Sequence, residues 1–233
     1  MQSTHYLNHA TLKHCMVRII ICCIAWRYYV HLAKQGSKGV TEPCAHRYRL
    51  AMDTILAQLT MTFTLILLSS IQETLGHPSL EPALHFNNSI DFVCRGIVGI
   101  TCLAAILEEL LFRGVLEQLL HKITPSRLWI TMISALAFSL MHCNMSNNLL
   151  YFVMGCFLSY LYHQTNHIIY PIIAHGLHNL CATSIIYFTL DIRLALAINS
   201  LTIVTRIILA IGALLVVYGY ITYRVGQKTK QIN

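Results

Sequence analysis

From Ala51 to Ile71 the chain runs 21 residues with one charged side chain, Asp53, and comparably apolar stretches recur along the rest of it. A helix of about 20 residues rises ~30 Å, the thickness of the hydrocarbon core of a bilayer. In lipid no water satisfies the backbone, so each such stretch must bond its own amides, as a helix does. Composition agrees with this reading: 56% of positions are hydrophobic and 11% charged, against about 25% charged in an average soluble domain. These figures exclude a disordered chain, a collagen-like fibre and an ordinary water-soluble enzyme. The expected fold is all-α, a polytopic integral membrane helical bundle of about six or seven transmembrane helices with the lipid bilayer as its partner.

Charge then orients the bundle. The net charge is +7 and the pI near 9.0; in a membrane protein, Lys and Arg gather in cytoplasmic loops, and no nucleic-acid-binding motif is present. The apolar run Ile19 to Trp26, enclosed by Arg18 and Arg27, leaves an interfacial helix and a first span both open for residues 1–50. Arg27 to Arg49 reads as a basic exposed loop, whereas Gln72 to Asn88 carries Glu73 and Glu81 and no Lys or Arg. A helical pattern from Ser89 to about His121 ends at the basic turn of Lys122, Pro125 and Arg127. Leu128 to His142 and Leu149 to Tyr162 read as an antiparallel pair around a polar loop, Asn144 to Asn148, and the turn His163 to His167 leads to Ile168–Leu190. The last apolar stretch, Leu194 to Tyr223, is longer than one crossing needs, so it must tilt or break before the basic tail of Arg224, Lys228 and Lys230. The basic segments all fall on one side, which places them and the tail in the cytoplasm.

The nine cysteines (Cys15, Cys22, Cys23, Cys44, Cys94, Cys102, Cys143, Cys156 and Cys181) show no zinc-type spacing and are expected to be small buried hydrophobes. Glu117 and Lys122 are expected to be solvated near the cytoplasmic end, and His163 and His167 to be polar turn residues. His178, one step from Asn179, reads as a packing residue or as a support behind the site residues.

The informative residues are ionisable groups inside spans, each of which is expensive in hydrocarbon and requires a partner or a task. Glu109 and Arg113 stand at i and i+4, the spacing of an ion pair on one helix face, while Glu108 is turned about 100° away. Helical rise places Glu108 and His142 each ~20 Å from the basic end of its own helix. On a later helix His175 and Asn179 share a face at i and i+4. A carboxylate, two imidazoles and an amide are therefore expected to meet within the membrane. Phe138, four positions before His142, shields them.

The strings Glu108-Glu109-Leu110-Leu111-Phe112-Arg113, Phe138-Ser139-Leu140-Met141-His142 and His175-Gly176-Leu177-His178-Asn179 resemble the EExxxR, FxxxH and HxxxN motifs of the CPBP, or Abi, family of intramembrane proteases. That family includes prenyl-protein (CAAX) endopeptidases and bacteriocin-processing or self-immunity proteins. The three motifs occur in order on separate spans, so residues 51–233 are expected to form the membrane domain with the protease-like core at about 95–186. The resemblance implies that Glu108 is the base that activates water, that His142 positions the water, and that His175 and Asn179 stabilise the oxyanion. Glu109 and Arg113 take supporting roles by the same resemblance. A glutamate withdrawn from water can hold and pass a proton near neutral pH, so this chemistry needs no metal. The competing reading uses Glu108, His142 and His175 as ligands of an open catalytic zinc site. The implied substrate is a peptide or a membrane-associated protein, and the implied location a bacterial inner membrane. Two non-hydrolytic readings remain beside it. One is an immunity or scaffold protein of the same fold, the other a transporter whose intramembrane charges line an ion path.

Overall fold

The structure is a computed structural model that describes residues 9–36, 44–76, 85–142 and 147–232. Eight helices make up the described residues: α1 (His9–Gly36), α2 (Cys44–Thr74), α3 (Ser89–Ile123), α4 (Arg127–Met141), α5 (Asn148–Thr165), α6 (Ile169–Tyr187), α7 (Leu190–Asn199) and α8 (Ile203–Ile232). An all-α membrane bundle is thus what the apolar stretches build.

Local chemistry sets the helix ends. The Asn88 side chain caps α3 by accepting from the Asp91 amide, and the Ser126 hydroxyl does the same for α4 from Trp129. Thr124, ahead of Pro125, turns to extended backbone and stops α3. Asn166 takes φ 52° to close α5, a left-handed cap that asparagine tolerates better than most residues. Helix α3 is continuous but not uniform. Phe92–Ala104 and Leu110–Leu116 are π-helical, and the glutamate pair sits on the α-helical turn Ala105–Glu109 between them.

Two of the helices, Ala51–Thr74 and Ser89–Ile123, are long and apolar enough to cross a membrane by themselves, and α7 and α8 pass the same test only as a pair. That is fewer than the six or seven expected, for two reasons. Helix α4 has 15 residues, a rise of ~22 Å. Helices α5 and α6 carry His, Asn and Tyr side chains turned toward the bundle, which lower their apolarity. The long final stretch breaks, as expected: Arg193–Asn199 and Ile203–Gly219 meet at 106°. Arg206, 5% exposed, ties that break together. Its Nη1 donates to Ser70 O (3.1 Å), Thr74 Oγ1 (2.9 Å) and Asn199 Oδ1 (3.2 Å), and its Nε to Leu201 O (3.1 Å).

Four features depart from the sequence reading. The first helix is far longer than its eight-residue apolar run, and Ala25 and Tyr29 pack on Leu110 and Ile106 of α3. The Arg27–Arg49 loop is mostly helix, since α1 runs to Gly36 and α2 starts at Cys44; residues 37–43 lie outside the described part, as do 77–84 and 143–146 of the other two loops. His163 belongs to the end of α5 rather than to a turn. Of the five cysteines whose surroundings are described, none is buried: Cys23 and Cys102 are exposed, and Cys94, Cys156 and Cys181 are intermediate. Lipid is as good a solvent for a thiol as a protein core, so apolar context does not imply burial here.

The main core joins Ala57, Met61 and Leu65 of α2 to Phe157 and Leu158 of α5, Tyr170 and Ala174 of α6 and Val217 of α8. Large apolar side chains such as Leu56, Phe63, Leu128, Trp129, Leu136 and Leu215 face outward. That is the expected surface of a protein solvated by lipid. Helices α4 and α5 pack antiparallel and very close: a Cβ on Gly155 would lie 2.9 Å from Ala135 Cα. Helix α6 likewise approaches α3 closely: a Cβ on Gly176 would lie only 3.3 Å from the Thr101 carbonyl oxygen. These two approaches bring the motif residues of α3, α4 and α6 together.

Candidate active site

Glu108 and Glu109 are neighbours with different surroundings. Glu109 is fully buried, and its Oε1 accepts from Arg113 Nη1 at 3.0 Å and faces His175 Nδ1 at 2.8 Å. A carboxylate bound to a guanidinium is an acceptor, so the His175 Nδ1 carries the proton in that contact. Arg113, also fully buried, gives Nη2 to the Gly155 carbonyl at 2.7 Å. The absence of a side chain at Gly155 therefore both lets α4 approach and exposes a carbonyl to the cation. The ring of Phe138 lies under the guanidinium at 5.2 Å, a cation–π contact.

Glu108 faces the other way. Its Oε2 lies 3.8 Å from His142 Nε2 and 3.8 Å from His175 Nε2, and has no hydrogen-bond partner. The Glu108 side chain is 18% exposed and that of His142 23%, against 5% for His175. The Glu108 and His142 side chains are thus partly accessible, although the Oε2 atom itself is buried. His142 caps the end of α4, where its Nδ1 meets the Phe138 carbonyl at 2.9 Å, and a carbonyl can only accept, so Nδ1 donates. Tyr151 of α5 stacks on the same ring at 4.0 Å with 18° between planes, and Phe138 lies against it at 4.8 Å. Phe138 also touches His175 at 5.7 Å and Phe112 at 5.3 Å. The phenylalanine is a shared wall for both imidazoles, which agrees with the shielding expected from its spacing.

Five of the six residues singled out in the sequence meet in this way. Asn179 is placed differently: its Nδ2 donates to the Ile100 carbonyl of the first π stretch at 3.1 Å. One of its two amide protons is thereby spent on fastening α6 to α3. His178 turns to α2, where its Nδ1 pairs with Thr62 Oγ1 at 3.2 Å, the hydroxyl itself accepting from Gln58 Nε2 at 3.0 Å. His178 is a packing residue, as its sequence position suggests.

Two residues expected to be ordinary are not. Glu117 is fully buried rather than solvated, 3.7 Å from Arg113 Nε. His163 is buried as well, with Nε2 3.4 Å from Glu117 Oε2. Glu109, Arg113 and Glu117 form one row at i, i+4 and i+8, so the signal for Glu117 is present in the spacing; that for His163 is not, because it comes from α5 by tertiary packing. Lys122 and His167 are exposed, as expected.

Among the described residues, no group of three or more His, Cys, Asp and Glu side chains is arranged as a ready metal cradle. Glu108, His142 and His175 converge without forming one.

Residues 90–181 match the family model described as type II CAAX prenyl endopeptidase Rce1-like. The matched segment runs from the start of α3 into α6 and contains all seven motif residues, in agreement with the resemblance those motifs carry. Endopeptidase activity is what that family's description names. No curated protein and no solved structure matches the chain.

Proposed function

We propose that this protein is an intramembrane endopeptidase in which Glu108 activates the attacking water. One observation carries the reading: a buried carboxylate oxygen without a hydrogen-bond partner, on a glutamate whose side chain is otherwise partly exposed, faces two imidazole nitrogens at 3.8 Å each. Separations of that size are too long for direct hydrogen bonds and suit a small bridging molecule.

In the proposed reaction a water held by Glu108 and His142 attacks the peptide carbonyl as Glu108 takes its proton. Glu108 then returns that proton to the leaving amine. Because His142 Nδ1 donates to Phe138 O, its Nε2 is turned to the water in a fixed orientation, and the Tyr151 ring holds the imidazole plane. With hydrogens on both ring nitrogens His175 keeps Nδ1–H on Glu109 and turns Nε2–H to the oxyanion, and Asn179 adds its second amide proton, a contribution of about 3–4 kcal/mol per donor in comparable sites. Glu109 and Arg113 fix His175. The substrate is a peptide or a membrane-associated protein, and the basic turn between α3 and α4, with the short turn between α5 and α6, faces the cytoplasm of a bacterial cell.

Comparative peptidomics of cells carrying the wild-type gene or the Glu108→Ala allele tests this directly. Peptides that vanish in the variant are expected; identical peptidomes with equal amounts of inserted protein would reject hydrolysis and leave a scaffold or immunity role. The convergence of one carboxylate and two imidazoles also suits a zinc-dependent version of the same enzyme. Chelation is expected to leave activity intact, whereas reversible loss restored by zinc would establish the metal-dependent form.

A further inference from the structure

Arg113 has a choice of two carboxylates. Glu109 lies one turn before it and Glu117 one turn after, and all three side chains are fully buried. Two ionised carboxylates at i−4 and i+4 in the same dry surroundings would compete evenly for the guanidinium. They do not: Nη1 is bonded to Glu109 at 3.0 Å, while Nε stands 3.7 Å from Glu117 and bonds to nothing. Neither Glu117 oxygen has a hydrogen-bond donor in bonding geometry, although the hydroxyls of Ser134 and Ser159 lie beside it.

Charge counting points to the reason. Glu109, Arg113 and Glu117 together would carry one uncompensated negative charge in a buried site, which is strongly disfavoured. His163 Nε2, 3.4 Å from Glu117 Oε2, is the adjacent group able to supply a proton. Other groups around the pair are His121, whose ring meets His163 at 5.5 Å, and Arg127, Arg113 and Tyr162. Of these Arg113 also lies within ion-pair distance of Glu117, but its carboxylate hydrogen bond goes to Glu109.

We infer that Glu117 and His163 share one proton between Oε2 and Nε2, and that this neutral pair is a positioning element that leaves Arg113 to Glu109. The inference deepens the proposed reaction, because Glu109 in turn holds His175. Neither residue belongs to the three motifs, and neither touches the reacting atoms.

A suppressor experiment tests it. His163→Gln removes the proton partner, so Glu117 must either draw Arg113 to itself or take up a proton of its own; Arg113 is expected to turn toward it. Adding Glu117→Gln removes the competing charge and restores the arrangement. Two readouts separate this inference from the reading it rests on. The first is the Arg113 Nε–H resonance of ¹⁵N-arginine-labelled protein in detergent micelles, assigned by its loss in Arg113→Lys, which does not depend on hydrolysis. It is expected to move downfield in His163→Gln and to return in the double variant. The second is Glu108-dependent peptide release in cells, expected to fall about tenfold or more in His163→Gln and to recover in the double variant. A merely structural role would make the double variant as impaired as the single or worse. An unmoved resonance in His163→Gln, or no return in the double variant, overturns the inference whatever the proteolysis result. If His163→Gln does not fold, recovery of folded protein in the double variant supports the inference, and failure of both rejects it.

Discussion

Glu108 and Glu109 differ by one position and by everything that surrounds them. Glu109 is sealed between Arg113 and His175, so Glu109→Gln breaks a buried ion pair and is expected to destabilise the protein by about 3–5 kcal/mol. Glu108 keeps an oxygen without a hydrogen bond and is 18% exposed. Glu108→Gln removes no favourable contact of that kind, so its stability is expected to stay within about 1 kcal/mol of wild type, or to rise, while hydrolysis is lost. Thermal unfolding of the two variants in the same detergent checks the contrast; equal destabilisation would mean that Glu108 is a structural residue. Helical spacing alone assigns Glu109 to the ion pair and leaves Glu108 over, which is why this part of the site is legible in the amino-acid sequence. The spacing is silent on His163 because a partner brought by another helix leaves no mark on the sequence around Glu117.

Helices place these side chains through small residues. Gly155 of α5 lies against Ala135 of α4, and four residues later the Ser159 hydroxyl donates to Thr131 at 3.0 Å, so the two helices meet along a narrow polar and small-residue seam. Such seams allow close approach where lipid supplies no hydrophobic drive for association. Gly155→Ala would put a methyl group 2.9 Å from Ala135 Cα and displace the carbonyl that receives Arg113. It is expected to lower stability by about 1–3 kcal/mol and to reduce proteolysis together with it. Unchanged melting of that variant would show that the α4–α5 contact has room for a methyl group. Element order and the antiparallel α4–α5 pair follow from the apolar stretches and the turns between them. The two π stretches of α3 do not, since nothing in Phe92–Ala104 or Leu110–Leu116 distinguishes a π turn from an α turn in sequence. Their position on either side of the glutamate pair fits the tendency of π turns to occur at functional sites.

At the scale of the whole molecule, orientation decides which compartment the site can serve. One end of the bundle carries Lys122 and Arg127, both exposed, together with the α5–α6 turn and the basic run Arg224, Lys228 and Lys230 of α8. The opposite end, where α2 finishes and α3 begins, carries Glu73 and Asp91, and its Arg95 is held to Asp91 by a contact of 2.8 Å. The Arg95–Asp91 pair is neutral overall, so that arginine gives this end no excess of positive charge. Each cationic residue near the membrane resists translocation, and on the proposed orientation the end that holds them stays inside. In a cysteine-free background, cysteine introduced at Lys122 is therefore expected to resist a membrane-impermeant maleimide in intact cells and to react after permeabilisation, while cysteine at Asn88 reacts in both. The reverse pattern would invert the bundle. Glu108 lies 15 residues from the Lys122 end of α3 and 19 from Ser89, so inversion would also turn the shorter route into the site from the cytoplasm to the outside. A substrate made in the cytoplasm would then have to cross the membrane before it could be cut.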